Sequence, residues 1–387
     1  MHTRIPVVSA LGITQTLAWA STYYLAAVFA DPISASLHLP HVWFFAIFSA
    51  ALLLSGLFGP LAGRWIDRYG GRDVLAGTSL VCAAGLVLLS QAQGLATLAL
   101  AWAVLGLGMG FGLYEAAFAT AARLYGLDAR SAITGITLFA GFASTIGWPL
   151  SAWFIHAFGW RGACLAWACL HLVVGLPLNR CLVPRAPPRA PPAAHETAAT
   201  PAGGTRWTMI VLAGVFGATW FVATALAAHL PRLLEALGAT PAAAIAAGAC
   251  IGPAQVAARL AEFSLMKRAS PLLSARLAAT LHPVGAVLLV IFGAPLAIPF
   301  ALLHGAGNGL LTIARGTLPL TLFGPAGYGL RTGILAAPSR VLQGVAPLLF
   351  GLILDDAGPR FALAVSAGLM VLSAVALLVL RTTAARR

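Results

Sequence analysis

Apolar residues run through this 387-residue chain in long unbroken stretches, with no alternation and no single greasy face. Val74 to Ser90 and Phe361 to Leu380 are two of them. Each approaches the roughly 20 residues that a helix needs to cross a bilayer core. Charges, prolines and glycines break the pattern into twelve predicted spans. The first half holds 6–30, 42–63, 73–91, 95–121, 132–157 and 162–179; the second holds 208–230, 241–263, 272–293, 296–320, 333–354 and 361–380. Backbone in lipid must satisfy its own hydrogen bonds, which leaves helices or a closed barrel. A barrel strand alternates in polarity, and these runs do not. The expected fold is therefore an all-α integral membrane protein. A polar break follows the sixth span: residues 180–207 carry Pro184, Pro187, Pro188, Pro191, Pro192 and Pro201 among arginines, a composition that builds no core. It separates a predicted N-terminal six-helix bundle, 1–179, from a C-terminal one, 208–387.

Composition narrows the class. Hydrophobic residues make up 60% and charged residues 9%, against roughly 45–50% and 25% in soluble domains. So few charges exclude a water-soluble body, and so much apolar content excludes disorder. The five cysteines, Cys82, Cys164, Cys169, Cys181 and Cys250, are read as small packing residues, with no metal site.

The charge of +13 is a matter of orientation. With the N-terminus inside, the inner loops and helix ends hold Arg4, Arg64, Arg68, Arg72, Arg123, Arg130, Arg180, Arg185, Arg189, Arg206, Arg259, Lys267, Arg268, Arg276, Arg331, Arg381, Arg386 and Arg387. The outer loops hold only Arg161, Arg232 and Arg360. This asymmetry places both termini in the cytoplasm. The dispersed arginines face anionic lipid rather than nucleic acid. Asp31-Pro32 follows the first span where a leader would have a cleavage site, so no cleavable signal peptide is expected.

The halves look duplicated. Trp19 with Leu25-Ala26-Ala27 matches Trp220 with Leu226-Ala227-Ala228, and Thr134-Gly135-Ile136 matches Thr332-Gly333-Ile334. Pro149-Leu150 matches Pro347-Leu348, and Gly159-Trp160-Arg161 echoes Gly358-Pro359-Arg360. The lags stay between 198 and 201 residues. Parallel six-helix repeats place a substrate site between the halves, near the midplane.

Between spans two and three stands Gly63-Arg64-Trp65-Ile66-Asp67-Arg68-Tyr69-Gly70-Gly71-Arg72. It resembles the Gly-x-x-x-Asp-Arg-x-Gly-Arg-Arg signature of the major facilitator superfamily, departing at Gly71, where the family usually has a basic residue. With the twelve spans and the basic central loop, the chain is identified as a member of that family. The resemblance implies two bundles around a central cavity, lined by helices one, four, seven and ten. It also implies a gate that closes the inner side at Asp67 and Arg68. By physical chemistry Asp67 can pair with Arg72, with Arg130 or with a helix N-terminus. The loop's arginines would also hold it inside on topological grounds alone. Arg259-Leu260-Ala261-Glu262 is a weaker echo of the motif in the second half. Gly135, Gly141 and Gly147-Trp148-Pro149 in the fifth span are read as packing residues.

Ionisable groups inside spans are costly, at least about 2.5–3.5 kcal/mol each at a helix centre, and they usually face a cavity or a partner. Glu115 in the fourth span, Arg315 in the tenth and Arg340 in the eleventh stand out. The repeat and the family pattern would bring Glu115 and Arg315 together across the cavity. Two readings stay open. The arginines bind an anionic substrate with Glu115 as the proton-coupling acid, or Glu115 and Arg315 form a structural ion pair and Arg340 caps the inner edge, where charged groups can also snorkel. Trp19, Tyr23, Trp220 and Asn308 join the candidate substrate-binding set. Gln15, Thr22, Tyr24 and Thr224 add polarity, and Asn308, Thr312 and Arg315 form a stripe at helical spacing. His229 and His304 are read as wetted histidines without a coupling role.

No Gly-x-x-x-x-Gly-Lys-Ser/Thr segment is present, and Lys267 is the only lysine, so ATP-driven pumping by this chain is excluded. No cofactor is expected beyond a proton gradient. No span carries a hydrolase motif, so no enzyme is expected. The expectation is a monomeric, multi-pass permease of a bacterial inner membrane, a symporter or antiporter working by alternating access on a small organic anion such as a monocarboxylate. The Gly159-Trp160-Arg161 turn, which resembles one in monocarboxylate and oxalate–formate transporters, adds to the anion reading. A proton-coupled exporter of drugs or other amphipathic compounds, and a receptor without transport, are the alternatives.

Overall fold

A computed structural model describes residues 4–186, 203–264 and 270–380. Most of the central linker lies outside the described residues, as do Arg189, Lys267, Arg268, Arg381, Arg386 and Arg387. Among the described residues the chain is helical throughout. The helices are α1 (Arg4–Ser21), α2 (Leu25–Leu37), α3 (His41–Tyr69), α4 (Gly71–Ser90), α5 (Leu95–Gly112), α6 (Tyr114–Tyr125), α7 (Ala129–Ala140) and α8 (Ala143–Leu170). Then follow α9 (Gly203–Ala236), α10 (Pro241–Ser264), α11 (Pro271–Phe292), α12 (Ala297–Phe323), α13 (Tyr328–Ala357) and α14 (Pro359–Val379). All twelve expected spans are found on them. Apolar side chains remain exposed along their flanks, Leu57, Ile210, Leu348 and Leu372 among them, as lipid-facing surfaces require.

Several spans of the first half are broken where continuous helices are expected. The first is interrupted at Thr22–Tyr24, the fourth at Leu113, which is extended (φ −82°, ψ −166°), and the fifth at Gly141–Phe142. Hydropathy does not report the breaks at Leu113 and Gly141–Phe142, because their residues are as apolar as the helix around them. The fifth and sixth spans share α8, which reverses at Gly159 (φ 66°, ψ 170°). After α8 the chain stays helical but winds wider, with five-residue closures at His171–Gly175 and Leu178–Leu182.

The residues divide into two compact units. One holds Met1–Ala194 with Gly324–Ala337, and the other His195–Phe323 with Pro338–Arg387. Each shows the duplication in its own packing. Gly106, Gly108 and Gly110 on α5 have counterparts at Gly305, Gly307 and Gly309 on α12. A Cβ on Gly106 or Gly110 would sit 2.7 or 2.8 Å from the Ala51 or Ser55 carbonyl oxygen of α3. On Gly305 or Gly309 it would sit 2.7 Å from that of Ile251 or Gln255 on α10. The same small-residue stripe thus lets the same pair of helices touch backbones in each half. Gly358 (φ 83°, ψ 171°) likewise repeats the turn at Gly159.

Candidate substrate site, gate and buried polar clusters

The gate motif lies at the end of α3 and the start of α4. The half-buried Asp67 carboxylate accepts the backbone N–H groups of Gly329 and Leu330, both at 3.0 Å. These are orphan donors at the N-terminus of α13, so the contact joins hydrogen bonding to the helix dipole. The helix N-terminus, among the partners open to Asp67, is thus the one supplied; the cations nearby are Arg331 and Arg123. The approach depends on glycine. A Cβ on Gly63 would overlap the Gly329 carbonyl, and one on Gly333 would lie 2.6 Å from Gly59. Arg68 is exposed and lies over the Tyr69 ring at 5.1 Å. Arg72 and Arg130 are half-buried and take no part in the Asp67 contact. The departure at Gly71 has a steric cause, because a Cβ there would run into the Thr120 side chain.

The helix breaks of this unit assemble aromatic rings. Trp19, 2% exposed, lies 5.3 Å from Tyr23, 6.2 Å from Tyr24 and 5.0 Å from Tyr114 between ring centroids. Tyr114 stacks on Phe118 at 5.2 Å. Glu115 is half-buried in the first turn of α6, beside Tyr114. That turn exists because Leu113 breaks the span, and a carboxylate there is favoured by the helix N-terminus.

In the other unit, Arg315 on α12 and Arg340 on α13 are 6% and 2% exposed. Both guanidinium carbons lie over the Trp220 ring of α9, at 4.9 and 5.8 Å from its centroid. Arg340 also donates to Gln343 Oε1 at 3.0 Å. Two buried guanidinium planes on one indole form a cation–π pair that holds positive charge in an apolar body. Asn308 belongs elsewhere. With Thr219, His282 and His304 it lines a separate small cavity, and its backbone carbonyl accepts from Thr312 Oγ1.

His304 departs from expectation. It is 5% exposed, and its Nδ1 lies 3.1 Å from His282 Nδ1, whose Nε2 lies 3.1 Å from Ser366 Oγ. His229 is half-buried against the Pro347 carbonyl at 2.8 Å. Arg259 and Glu262, the weaker echo of the gate motif, are buried, and Glu262 accepts from Ser274. Sequence reasoning missed Tyr114, His171, Asn179 and His282. For the histidines the available signal was an imidazole within an otherwise apolar run, as at Leu170-His171-Leu172.

The comparisons agree on one fold. The human organic anion transporter MFSD10 (TETRAN) superposes with a TM-score of 0.78 at 17% identity, over 97% of this chain and 100% of that one. The proton:xylose symporter XylE, bound to 6-bromo-6-deoxy-D-glucose, gives 0.75 at 14% identity over 96% and 95%. No curated protein matches. The sequence profile of the Major Facilitator Superfamily matches residues 11–303, and the chain belongs to that superfamily of multi-pass membrane transporters.

Proposed function

We propose that this protein is a proton-coupled secondary transporter of a small organic anion, such as a monocarboxylate, working by alternating access. One observation carries the reading: Arg315 and Arg340, buried and stacked over Trp220 in the C-terminal unit. Two desolvated guanidiniums on one platform match a carboxylate in both charge and fork geometry. In this reading Glu115 carries the coupling proton, Trp19, Tyr23 and Trp220 contribute to solute binding, and Asp67 with the N-terminus of α13 forms the inner gate. The organic anion transporter and the proton symporter among the similar structures agree with it. The protein would act as a monomer in a bacterial inner membrane, with both termini cytoplasmic and the proton gradient as its only cosubstrate.

A second reading, export of amphipathic cations, is favoured by the ring cluster of Trp19, Tyr23, Tyr24 and Tyr114 beside Glu115. Counterflow in proteoliposomes with a panel of organic anions and cations, at several pH values, separates the two. The anion reading expects uptake of a carboxylate that Arg315→Ala abolishes and a pH dependence that Glu115→Gln removes. Full pH-dependent transport in both variants overturns the site. Transport of cations alone selects the exporter, and movement of no solute selects a receptor.

A further inference from the structure

The N-terminal unit encloses a polar pocket with room for about one water-sized guest, lined by α1, α4, α5 and the wide-wound turns that follow α8. Three of its side chains are nearly fully buried: Gln15 (1% exposed), His171 (2%) and Asn179 (3%). Each has a polar atom without a hydrogen-bond partner among the described residues: Gln15 Oε1, His171 Nδ1 and Asn179 Oδ1. Groups of this kind are rarely left so.

The identity of those atoms follows from their neighbours. Gln15 Nε2 donates to the Gly112 carbonyl at 2.6 Å, and Asn179 Nδ2 to the Leu75 carbonyl at 3.2 Å. A carbonyl only accepts, so both amides are fixed with their oxygens on the unpaired side. Ser21 Oγ lies 2.7 Å from the Leu17 carbonyl and 2.7 Å from His171 Nε2; with the hydroxyl hydrogen on the carbonyl, Oγ accepts from His171 Nε2–H. In that tautomer the His171 Nδ1 is a bare lone pair. The hydroxyls of Thr14, Thr78 and Ser79 spend their hydrogens on the carbonyls of Leu11, Val74 and Leu75. Three acceptors thus share a pocket that is short of donors, and one of the three is an imidazole.

We propose that this pocket is a proton-binding site. His171 takes one proton from water onto Nδ1, and the N–H so formed donates to the amide oxygens of Gln15 and Asn179, directly or through one enclosed water. Adding a single proton turns the one titratable acceptor into the missing donor. His171 and Asn179 both sit on five-residue helical closures, a winding that recurs at functional sites. Gly175 keeps the space open: a Cβ there would sit 3.2 Å from Ser79 Oγ and 3.5 Å from His171 Nδ1.

The groups facing His171 are uncharged. They are Thr14, Gln15 and Ser21 from α1, Thr78 and Ser79 from α4, and Asn179 from the final turn. The ionisable residues of these elements lie off the pocket lining. Arg4 pairs with Asp128, Asp73 with Arg180 and Arg185, and Arg161 binds the Ala92 carbonyl. Arg72, Cys82, His156, Cys164 and Cys169 are likewise absent from it.

The test is ring-nitrogen NMR of the full chain in nanodiscs, with 15N-labelled histidine and pH as the variable. One ring, absent from the His171→Gln spectrum, is expected to be Nε2–H at high pH and doubly protonated at low pH. Gln15→Leu and Asn179→Leu each remove an acceptor for the new N–H and should weaken proton binding by about tenfold. Gly175→Ala crowds the pocket and should shift the same midpoint with little change to the fold. A His171 ring that stays neutral down to acid unfolding overturns the proposal. So does a midpoint that neither leucine variant nor Gly175→Ala moves. A midpoint that shifts when sodium replaces choline makes a dehydrated alkali ion the guest and also overturns it. These readouts use no transported solute, so they stand or fall apart from the anion-transport reading.

Discussion

Asp67→Asn should open the contact between α3 and the start of α13. The carboxylate now accepts two backbone N–H groups at 3.0 Å each. Asparagine keeps one carbonyl oxygen, but its NH₂ meets the second N–H donor to donor. The variant therefore loses one hydrogen bond to a charged acceptor, about 1.5–3 kcal/mol, and a helix-dipole interaction of about 0.3–1 kcal/mol. Asp67 is half-buried, so the low end applies and about 2 kcal/mol is expected. At 1.4 kcal/mol per tenfold, this raises the open population about 30-fold. Thr332 reports on it: it lies one turn into α13, is 5% exposed, and donates to the Tyr328 and Gly329 carbonyls. In a background with the exposed Cys169 and Cys181 replaced, Thr332→Cys should react with an impermeant maleimide about 30-fold faster once Asp67→Asn is added, in line with that population shift. Asp67→Ala, which loses both bonds, should exceed it. An unchanged rate in both variants would refute the assignment of this contact as what holds the segment closed.

Three further outcomes follow from packing. Gly71→Arg, which restores the family's usual basic residue, forces a side chain into Thr120 and should cost roughly 1–3 kcal/mol, read as a lower Tm and partly relieved by Thr120→Ala. Gly106→Ala and Gly305→Ala each place a Cβ 2.7 Å from a facing carbonyl oxygen, so their Tm losses should be similar; a loss in only one would show that the halves do not share this interface. Trp220→Leu removes the ring beneath Arg315 and Arg340 and should weaken solute binding about tenfold in counterflow, in proportion to a cation–π term of about 1–2 kcal/mol.

The fold was legible because it rests on hydropathy, which a bilayer enforces over the length of each span. The lag near 200 residues was legible at Trp19 and Trp220 and at Gly159 and Gly358. The stronger repeat, Gly106-x-Gly-x-Gly against Gly305-x-Gly-x-Gly, passed as ordinary composition because glycine is common in such helices. The candidate site was legible only as charges that hydropathy could not explain. Arg315 and Arg340 lie on consecutive spans, and Trp220, three spans earlier than Arg315, gathers them. Neutral groups gave no comparable signal. His171 and Asn179 do not lower the hydropathy of a span enough to mark it, and a tautomer or an amide orientation exists only once the neighbouring carbonyls are in place.

The breaks in the spans explain why polar side chains gather where they do. A continuous helix satisfies every carbonyl it carries, and each break leaves some without a partner. At Leu113 the N–H of Ala116 turns to Leu113 rather than Gly112, and Gln15 reaches across from α1 to take the Gly112 carbonyl. At the end of α1, Ser21 and Thr22 bond back to the carbonyls of Leu17 and Ala18, one turn earlier. Those repairs have consequences. Gln15 is turned so that its oxygen is left over, Ser21 is committed as the acceptor for His171, and Glu115 gains a helix N-terminus. One structural expense, two interrupted helices, therefore generates both the carboxylate position and the acceptor-lined pocket. Substitutions that straighten either helix should displace Glu115 and reshape the pocket together, although Glu115 is no part of the pocket lining.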